Sequence, residues 1–202
     1  MGTGPEILLV FSSMESMLVN MEKSWYRKMF SHPQNPEPEP IPPRADYGDA
    51  EVQFNMGLKF ANGEGATRNY AQAAEWYHKA AEQCHSLAQF NLGMMYAHGQ
   101  GVIRDTTQSV MWFGRAARQG DAGAQFILGE SCHRASLQGA RKDAPESRIE
   151  AYKWYRLAAA QGYLDSETAY NTLTLSMTRE DVADGNRRAA EFRVEKPEHP
   201  HE

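Results

Sequence analysis

The feature that most constrains this chain is a sequence repeat with a step of 36 residues. The pattern Gln-Phe-x-x-Gly begins at residues 53, 89 and 125, and Gly-x-Gly begins at residues 63 and 99. A pair formed by Trp and then Tyr or Phe begins at residues 76, 112 and 154, and an alanine pair follows each time. Repeats of this length are typical of arrays in which each unit packs against its neighbours. We therefore predict three stacked units over residues 48–161.

Each unit is predicted to be a pair of helices. Apolar residues recur every four positions in the first half of each unit, which places them on one helix face. The second helix has a start signal, because a residue type that caps helix N-termini stands seven positions before each Trp. These residues are Asn69, Asp105 and Ser147. The second and third units close with Gln-Gly, which suits the end of a helix. Cys84 takes the glycine position in the first unit, so we expect that turn to differ or to be strained.

Small residues predict close packing between the helices. Gly57, Gly93 and Gly129 occupy equivalent positions inside the first helices, where glycine costs about 1 kcal/mol relative to alanine. Three copies of that cost indicate a crossing that admits no Cβ atom. The alanine pairs allow a second close approach, and we expect the Trp of each unit to fill the remaining space.

The ends of the array are predicted to differ from the repeats. Residues 163–177 are expected to form the first helix of an incomplete fourth unit. Thr178 and Asp181 have the spacing of a capping box, which would start a last helix to about residue 194. Residues 195–202 form a polar tail that we expect to fray.

Two further segments precede the repeats. Apolar residues from Ile7 to Trp25 follow a 4-3-4-3-4 spacing, which predicts an amphipathic helix within residues 1–30. That helix could cap the repeats, mediate self-association or lie on a membrane surface, and part of it would be absent if translation began at Met14, Met17 or Met21. Residues 31–47 are predicted to be an extended linker, because six prolines fall within 33–43. A ligand for a proline-reading domain is the alternative there.

The predicted fold class is all-α, an α/α superhelix (solenoid) of stacked helical hairpins. The predicted organisation is an amphipathic helix (1–30), a Pro-rich linker (31–47), a solenoid (48–178), a C-terminal capping helix (179–194) and a disordered tail (195–202). Within the solenoid the units are 48–83, 84–119 and 120–161, with a partial unit over 162–178.

Charge and hydropathy exclude several classes of protein. The chain has 21 basic and 26 acidic residues, a net charge of −5, which argues against a nucleic-acid partner bound through a basic face. The longest apolar run, residues 7–11, is far shorter than the roughly 20 residues of a membrane helix. The N-terminus lacks the positive region of a secretory signal. We therefore expect a cytoplasmic protein, with membrane association possible only through residues 6–30.

No catalytic, metal or cofactor site is predicted. Cys-His pairs occur at residues 84–85 and 132–133, but they are out of step with the repeat, and neighbouring residues on a helix point in different directions. Cys132 is expected to be a small core residue. The Gly-x-Gly loops follow helices and lack the residues of a phosphate-binding loop, so they are predicted to be turns. The histidines at 78, 85, 98 and 133 are expected at the surface or in loops.

The combined pattern resembles the Sel-1-like repeat, a relative of the tetratricopeptide repeat. The resemblance covers about residues 48–178, and the phrase from Met177 to Asp181 is similar to a common ending of bacterial arrays. It implies hairpins stacked into a right-handed superhelix, in proteins that bind other proteins and assemble complexes. Some relatives carry a disulfide in each repeat, and the two out-of-register cysteines here do not match that pattern.

The third unit departs from the pattern. It lacks the Gly-x-Gly loop and carries six extra residues within 134–147. An insertion in a repeat usually forms a loop on one face. Arg134, Arg141, Lys142 and Arg148 make this region basic. It is predicted to be either a tolerated surface loop or a docking site for an acidic partner.

The function predicted from these features is a protein-interaction scaffold or adaptor without catalysis of its own. Its partner would be another protein or a peptide, bound on the surface of the first helices. The candidate contact residues are Asn55, Lys59, Asn91, Met95, Ile127 and Ser131, which we expect to be exposed, together with Arg134, Arg141 and Lys142. The alternatives are an enzyme or its accessory subunit, and a membrane-associated assembly factor that uses the N-terminal amphipathic helix.

Overall fold

The computed structural model describes residues 48–64, 67–138, 143–163 and 165–195. These residues form eight helices and no strand. The helices are α1 (Ala50–Asn62), α2 (Tyr70–Glu82), α3 (Ser86–His98), α4 (Thr106–Arg118), α5 (Ala122–Gln138), α6 (Ala144–Ala160), α7 (Ser166–Thr174) and α8 (Arg179–Glu191). The helix and linker predicted over residues 1–47 lie outside the described residues, as do residues 196–202 of the predicted tail.

The helices pack in the order in which they follow one another along the chain. Each helix from α1 to α5 contacts the next, and α6 contacts both α7 and α8. The hairpins are α1–α2, α3–α4 and α5–α6, and α7 and α8 close the array. The predicted all-α solenoid of stacked hairpins is therefore confirmed.

A side-chain cap begins each of the three first helices. The caps are spaced by 36 residues, and each side chain accepts a hydrogen bond from a backbone amide that the helix leaves unpaired. They are Asp49, His85 and Asp121, which accept from the amides of residues 51, 88 and 124 at 2.7, 3.2 and 2.7 Å. This repeated signal is present in the sequence but was not part of the prediction.

Two of the three predicted caps of the second helices are confirmed. Asn69 accepts from the amide of residue 72 at 3.1 Å, and Asp105 from those of residues 107 and 108 at 2.8 and 3.0 Å. The prediction for Ser147 is wrong. The residue before α6 is Asp143, whose side chain makes no capping bond, and Pro145 lies in the first turn. Proline suits that place because it has no amide to leave unpaired.

The loop predicted over residues 134–147 is helical at its two described ends, 134–138 and 144–147, so its predicted bounds are wrong; residues 139–142 lie outside the described residues. Helices α5 and α6 have 17 residues each, compared with 13 each in α3 and α4. The connection between them shortens from residues 99–105 to residues 139–143, so the extra residues lengthen the helices. Gly99 ends α3 in the left-handed region at φ 69°, whereas its counterpart in the third unit is Ala135, a strong helix former. The helix therefore continues past the usual stop.

The turns between units have one shared backbone conformation. The residues after the closing glutamines are left-handed, with φ of 63° at Cys84, 93° at Gly120 and 70° at Gly162. The first turn thus has the same shape as the others but places a side chain where glycine is favoured. That conformation costs a residue with a Cβ atom about 1 kcal/mol, so the prediction of strain is confirmed.

The predicted close crossing is confirmed, but the packing partner is the residue after each Trp. A Cβ atom on the helical glycines would lie under 3.0 Å from an aromatic ring. The pairs are Gly57 with Tyr77 at 2.5 Å, Gly93 with Phe113 at 2.9 Å and Gly129 with Tyr155 at 2.6 Å. The alanine pairs of α2 and α4 are fully buried. Each ring therefore locks a first helix onto the second helix of the same unit.

Glutamine pairs with one buried member hold each unit together and join it to the preceding one. Within a unit, the closing glutamine donates through Nε2 to Oε1 of the glutamine in Gln-Phe-x-x-Gly. The pairs are Gln83 with Gln53, Gln119 with Gln89 and Gln161 with Gln125, at 2.9, 2.8 and 3.0 Å. Between units, Gln89 and Gln125 donate to the carbonyl oxygens of Ala81 and Ala117 at 3.0 and 3.2 Å. These bonds fix how the hairpins align, because a slip would leave buried amides unpaired.

The C-terminal end packs on the third hairpin. Thr178 and Asp181 form the predicted capping box. Helix α8 ends at Glu191 rather than near residue 194. It lies against α6 through Gly185, where a Cβ atom would be 2.5 Å from the Tyr152 ring. The next residues, 192–195, fold back onto the second and third units, so the tail is held at residue 195, where fraying was expected to begin.

Candidate functional site

Two predicted contact residues on the middle first helix are not on the surface. Asn91 and Met95 of α3 are only 7% and 5% exposed, so the expectation that they line an open face is wrong. Helix α3 packs against both α2 and α4 and has a hairpin on each side. The side chains of Asn91 and Met95 are therefore part of the packed interior of the array.

The equivalent positions on α1 and α5 are accessible. Asn55 is exposed and Lys59 is half-buried on α1. On α5, Ile127 and Ser131 are half-buried and Arg134 is exposed. The three α5 residues follow a four-three spacing and share one stripe of the helix. Arg141 and Lys142 lie outside the described residues.

The most exposed apolar side chains lie at one edge of the array. We call this the loop edge: the connections from first to second helices, with the residues next to them. Three large apolar side chains of the described residues are more than three-quarters exposed, and all three are here. They are Ile103 at 90%, Leu137 at 76% and Leu175 at 89%. Ile103 belongs to the second unit, Leu137 to the third and Leu175 to the partial fourth. Large apolar residues within predicted connections were the signal that sequence reasoning missed.

Each of these apolar residues has an exposed arginine nearby in the chain. Arg104 follows Ile103 directly, and Arg134 and Arg179 lie about one helical turn from Leu137 and Leu175. Within the part of the chain that the structure describes, none of these arginines forms an ion pair. The loop edge therefore presents apolar side chains beside exposed guanidinium groups.

The second half of α5 carries titratable groups whose pKa values are shifted by burial. Burial raises the pKa of the Cys132 thiol, and the Glu150 carboxylate adds to that rise. Burial lowers the pKa of His133, as does the nearby positive charge of Arg148. At neutral pH His133 is therefore uncharged and Cys132 remains a thiol, which is not the nucleophilic form. Cys132, which was expected to be a small core residue, is half-buried.

Glu130 of α5 and Asp121, which caps the start of that helix, also have raised pKa values. Burial raises the pKa of Glu130, partly offset by the positive charge of Arg134. Burial raises the pKa of Asp121 as well, although two backbone amides hydrogen-bond to its carboxylate. The pKa of Tyr163 rises to about 12, because it is buried and lies close to both carboxylates. Burial is the largest cause of all three shifts.

The histidine of the first Cys-His pair has a structural role. Its Nδ1 accepts from the Ala88 amide at 3.2 Å, its Nε2 lies 3.0 Å from Oε2 of Glu51, and its ring stacks on Phe54 at 4.5 Å. Nδ1 of His85 therefore caps α3, while Nε2 and the ring face join that helix to α1. Among the described residues no group of three or more His, Cys, Asp or Glu side chains could hold a metal ion.

Comparison with known families decides what kind of array this is. A family model described as the Sel1 repeat matches residues 50–83, 86–121 and 122–163, which is more than half of the chain. The chain belongs to the Sel1 repeat family. The predicted resemblance is therefore confirmed.

Solved Sel1 repeat structures support the same conclusion. The chain is similar to c5321, a protective antigen of uropathogenic Escherichia coli strains with an SLR fold, at 33% identity and a TM-score of 0.58 over 73% of this chain and 32% of that one. It is also similar to a Sel1 repeat protein from Oxalobacter formigenes, at 35% identity and a TM-score of 0.54 over 65% of this chain and 95% of that one. The chain thus spans about a third of the length of c5321. The search of curated proteins finds no match.

Family membership gives the function in general terms. Sel1 repeat proteins are generally protein-interaction scaffolds, and they are typically not catalytic. Among the described helices, none has both the length and the apolar character that crossing a membrane requires.

Proposed function

We propose that this Sel1 repeat chain is an adaptor that binds a protein or peptide partner on its repeat surface and catalyses no reaction itself. The observation that carries the proposal is the loop edge. Its three apolar side chains come from three successive units, and each lies in or next to the connection from a first helix to a second. Single exposed apolar residues are normal on a protein surface, whereas a continuous apolar patch marks an interaction site, and we propose that these three residues contribute to one.

The chemistry of the loop edge suits protein binding. Contact with a partner removes Ile103, Leu137 and Leu175 from water, which contributes about 25 cal/mol for each Å² of apolar area covered. Arginine is among the residue types that carry most binding energy in interfaces, because its guanidinium can pair with carboxylates and carbonyls. The partner proposed here therefore offers apolar side chains with hydrogen-bond acceptors beside them.

The predicted contact residues on α5 extend this surface. Ile127, Ser131 and Arg134 run along α5 toward Leu137 at the loop edge. Arg141 and Lys142 follow in the same connection by sequence, and we retain them as proposed contacts. Asn55 and Lys59 on α1 are proposed as a separate, more distant contact. The predicted domain organisation, with its N-terminal arm, linker and tail, also stands as a proposal.

Photocrosslinking with a matched control variant tests the adaptor proposal. The test variant changes Ile103, Leu137 and Leu175 to Ser. The control changes Val110 and Met111 of α4, which are 43% and 38% exposed but lie away from the loop edge, to Ser. We expect wild type and control to capture the same partner from cell extract, and the test variant to lose at least about tenfold of it at an unchanged melting temperature. Equal capture by all three proteins would contradict the loop-edge site.

A further inference from the structure

The residues after α8 bind back onto the array as a short peptide. We call residues 192–195 the C-terminal segment. The Phe192 ring meets the Trp154 ring edge-on, with centroids 5.7 Å apart and planes at 72°. The Glu195 amide donates to the carbonyl oxygen of Arg118, the last residue of α4, at 2.9 Å. The Glu195 carboxylate also pairs with Nε of Arg118 at 3.3 Å.

The aliphatic residue of the segment covers a glycine. Val194 lies over Gly120, where a Cβ atom would be 3.3 Å from its nearest methyl carbon. The segment therefore makes three kinds of contact in sequence order: an aromatic edge, an aliphatic contact, and a carboxylate with its own amide. The residue between the first two, Arg193, is exposed.

Trp112 of the second unit has a ring contact equivalent to the one that Phe192 makes with Trp154 of the third unit. There, His78 of α2 meets the ring of Trp112 edge-on, with centroids 5.6 Å apart and planes at 73°. One repeat later the position of His78 is taken by Gly114, which has no side chain. A Cβ atom on Gly114 would meet only the end of the Arg118 side chain, at 3.6 Å. Phe192 thus supplies to Trp154 the ring that the repeat itself supplies to Trp112.

We propose that Gly114, Arg118, Gly120 and Trp154 form a peptide-binding groove, and that the C-terminal segment occupies it within the same chain. The groove selects an extended peptide with an aromatic residue, an aliphatic residue two positions later, and then an acidic residue. A partner carrying that pattern competes with the chain's own segment. This inference rests on the proposed adaptor function, since it names one class of ligand for it.

Apart from the half-buried Phe192, the segment is exposed, so few contacts oppose its displacement. Val194 remains 55% exposed, and the side chains of Arg118 and Glu195 are 47% and 63% exposed. An ion pair this open to water is screened and contributes little to holding the segment in place. The aromatic position is therefore the main source of selectivity, because Phe192 fills the space beside the buried Trp154 ring that Gly114 leaves open.

A titration with a synthetic peptide tests the groove. The peptide has the sequence of residues 190–195 with blocked ends, and the protein is the full chain with Phe192→Ala and Val194→Ser, which empties the groove. We expect amide shifts at residues 114–120 on NMR titration, and binding at least about tenfold tighter than to wild type, whose own segment competes. A folded variant that shows no shifts at millimolar peptide would overturn the groove and leave the loop-edge experiment unaffected.

A matched variant locates the aromatic position. Adding Gly114→His to the emptied chain rebuilds the arrangement of the preceding unit and fills the space beside Trp154. We expect peptide binding to fall at least about tenfold while the melting temperature stays the same, because alternatives to glycine are tolerated at that open helical site. In the otherwise wild-type chain, the same substitution should speed hydrogen exchange at the Glu195 amide. Unchanged peptide binding and unchanged exchange would refute the placement of the aromatic residue on Trp154.

Discussion

Replacing Trp112 with alanine tests how much the middle of the array contributes to its stability. Trp112 is 2% exposed and packs against His78 of the preceding hairpin, whereas Trp76 at the equivalent position is half-buried. Truncating a buried tryptophan costs about 3–5 kcal/mol. A half-buried one loses about half of the contact area, so we expect about 2 kcal/mol for Trp76→Ala. Each substitution also removes one cation–π contact, with Arg115 at Trp112 and with Lys79 at Trp76. The loss of that contact therefore cancels when the two variants are compared.

The indole N–H of Trp112 places the expected loss at the lower end of the range. Its Nε1 is buried and has no hydrogen-bond acceptor among the described residues. An unpaired buried N–H costs about 1–3 kcal/mol, and the alanine variant no longer carries that cost. We therefore expect about 3 kcal/mol for Trp112→Ala. Trp112→Phe keeps a ring and removes the N–H, so it should cost less than about 1 kcal/mol.

Urea unfolding followed by circular dichroism at 222 nm checks this order. The unfolding midpoint should fall most for Trp112→Ala, less for Trp76→Ala and least for Trp112→Phe, with similar slopes. Equal midpoints for the two alanine variants would refute the reasoning that burial in the middle unit decides the cost. A Trp112→Phe midpoint as low as that of Trp112→Ala would show that the indole N–H is paired.

Three further predictions follow from the packing and the charges. Gly93→Ala gains helix propensity, but its Cβ atom would lie 2.9 Å from a ring, so the melting temperature should fall. Asp105→Ala should cost about 1 kcal/mol in urea unfolding because it removes a cap, whereas Ser147→Ala, now inside a helix, should change little. Burial alone would raise the pKa of Glu150, but hydrogen bonds from Lys153 and Arg188 hold it below its usual 4.5. That depressed pKa stabilises the fold above pH 4.5 and less as the pH falls, so Arg188→Ala should lower the midpoint at pH 7 and have a smaller effect at pH 3.

The hairpins could be predicted because their signals are local and repeated. A cap such as Asn69 or Asp105 acts within one helical turn, and the glycine at a helix end acts through its own φ angle. The contact between each helical glycine and an aromatic ring could also be predicted from the sequence. Three glycines spaced by 36 residues lower helix stability, and only close packing can offset that cost. The fold class and the closing capping box followed from the same kind of evidence.

Exposure could not be predicted from the repeat, because equivalent positions have different neighbours. Asn91 and Asn55 stand 36 residues apart in the same pattern, but among the described helices Asn91 lies on a helix that packs against a helix on either side, whereas Asn55 lies on one that packs against a single neighbour. The length of α5 was wrong for a related reason. Six extra residues were assigned to a loop, although the missing glycine stop at Ala135 lets the helix continue. A repeat therefore predicts the unit more reliably than the surroundings of each copy.

The breaks in the repeat are where the two proposed binding features arise. Ala135 lacks the glycine that stops α3, and the longer helix that results carries Leu137 to the loop edge. Gly114 lacks the ring that His78 provides one unit earlier, and the space left beside Trp154 accepts a residue from elsewhere in the chain. Residues that match the 36-residue pattern pack the hairpins together, so they cannot change to suit a binding partner. Positions that leave the register without breaking the stack are therefore the ones where a repeat protein can acquire a specific ligand.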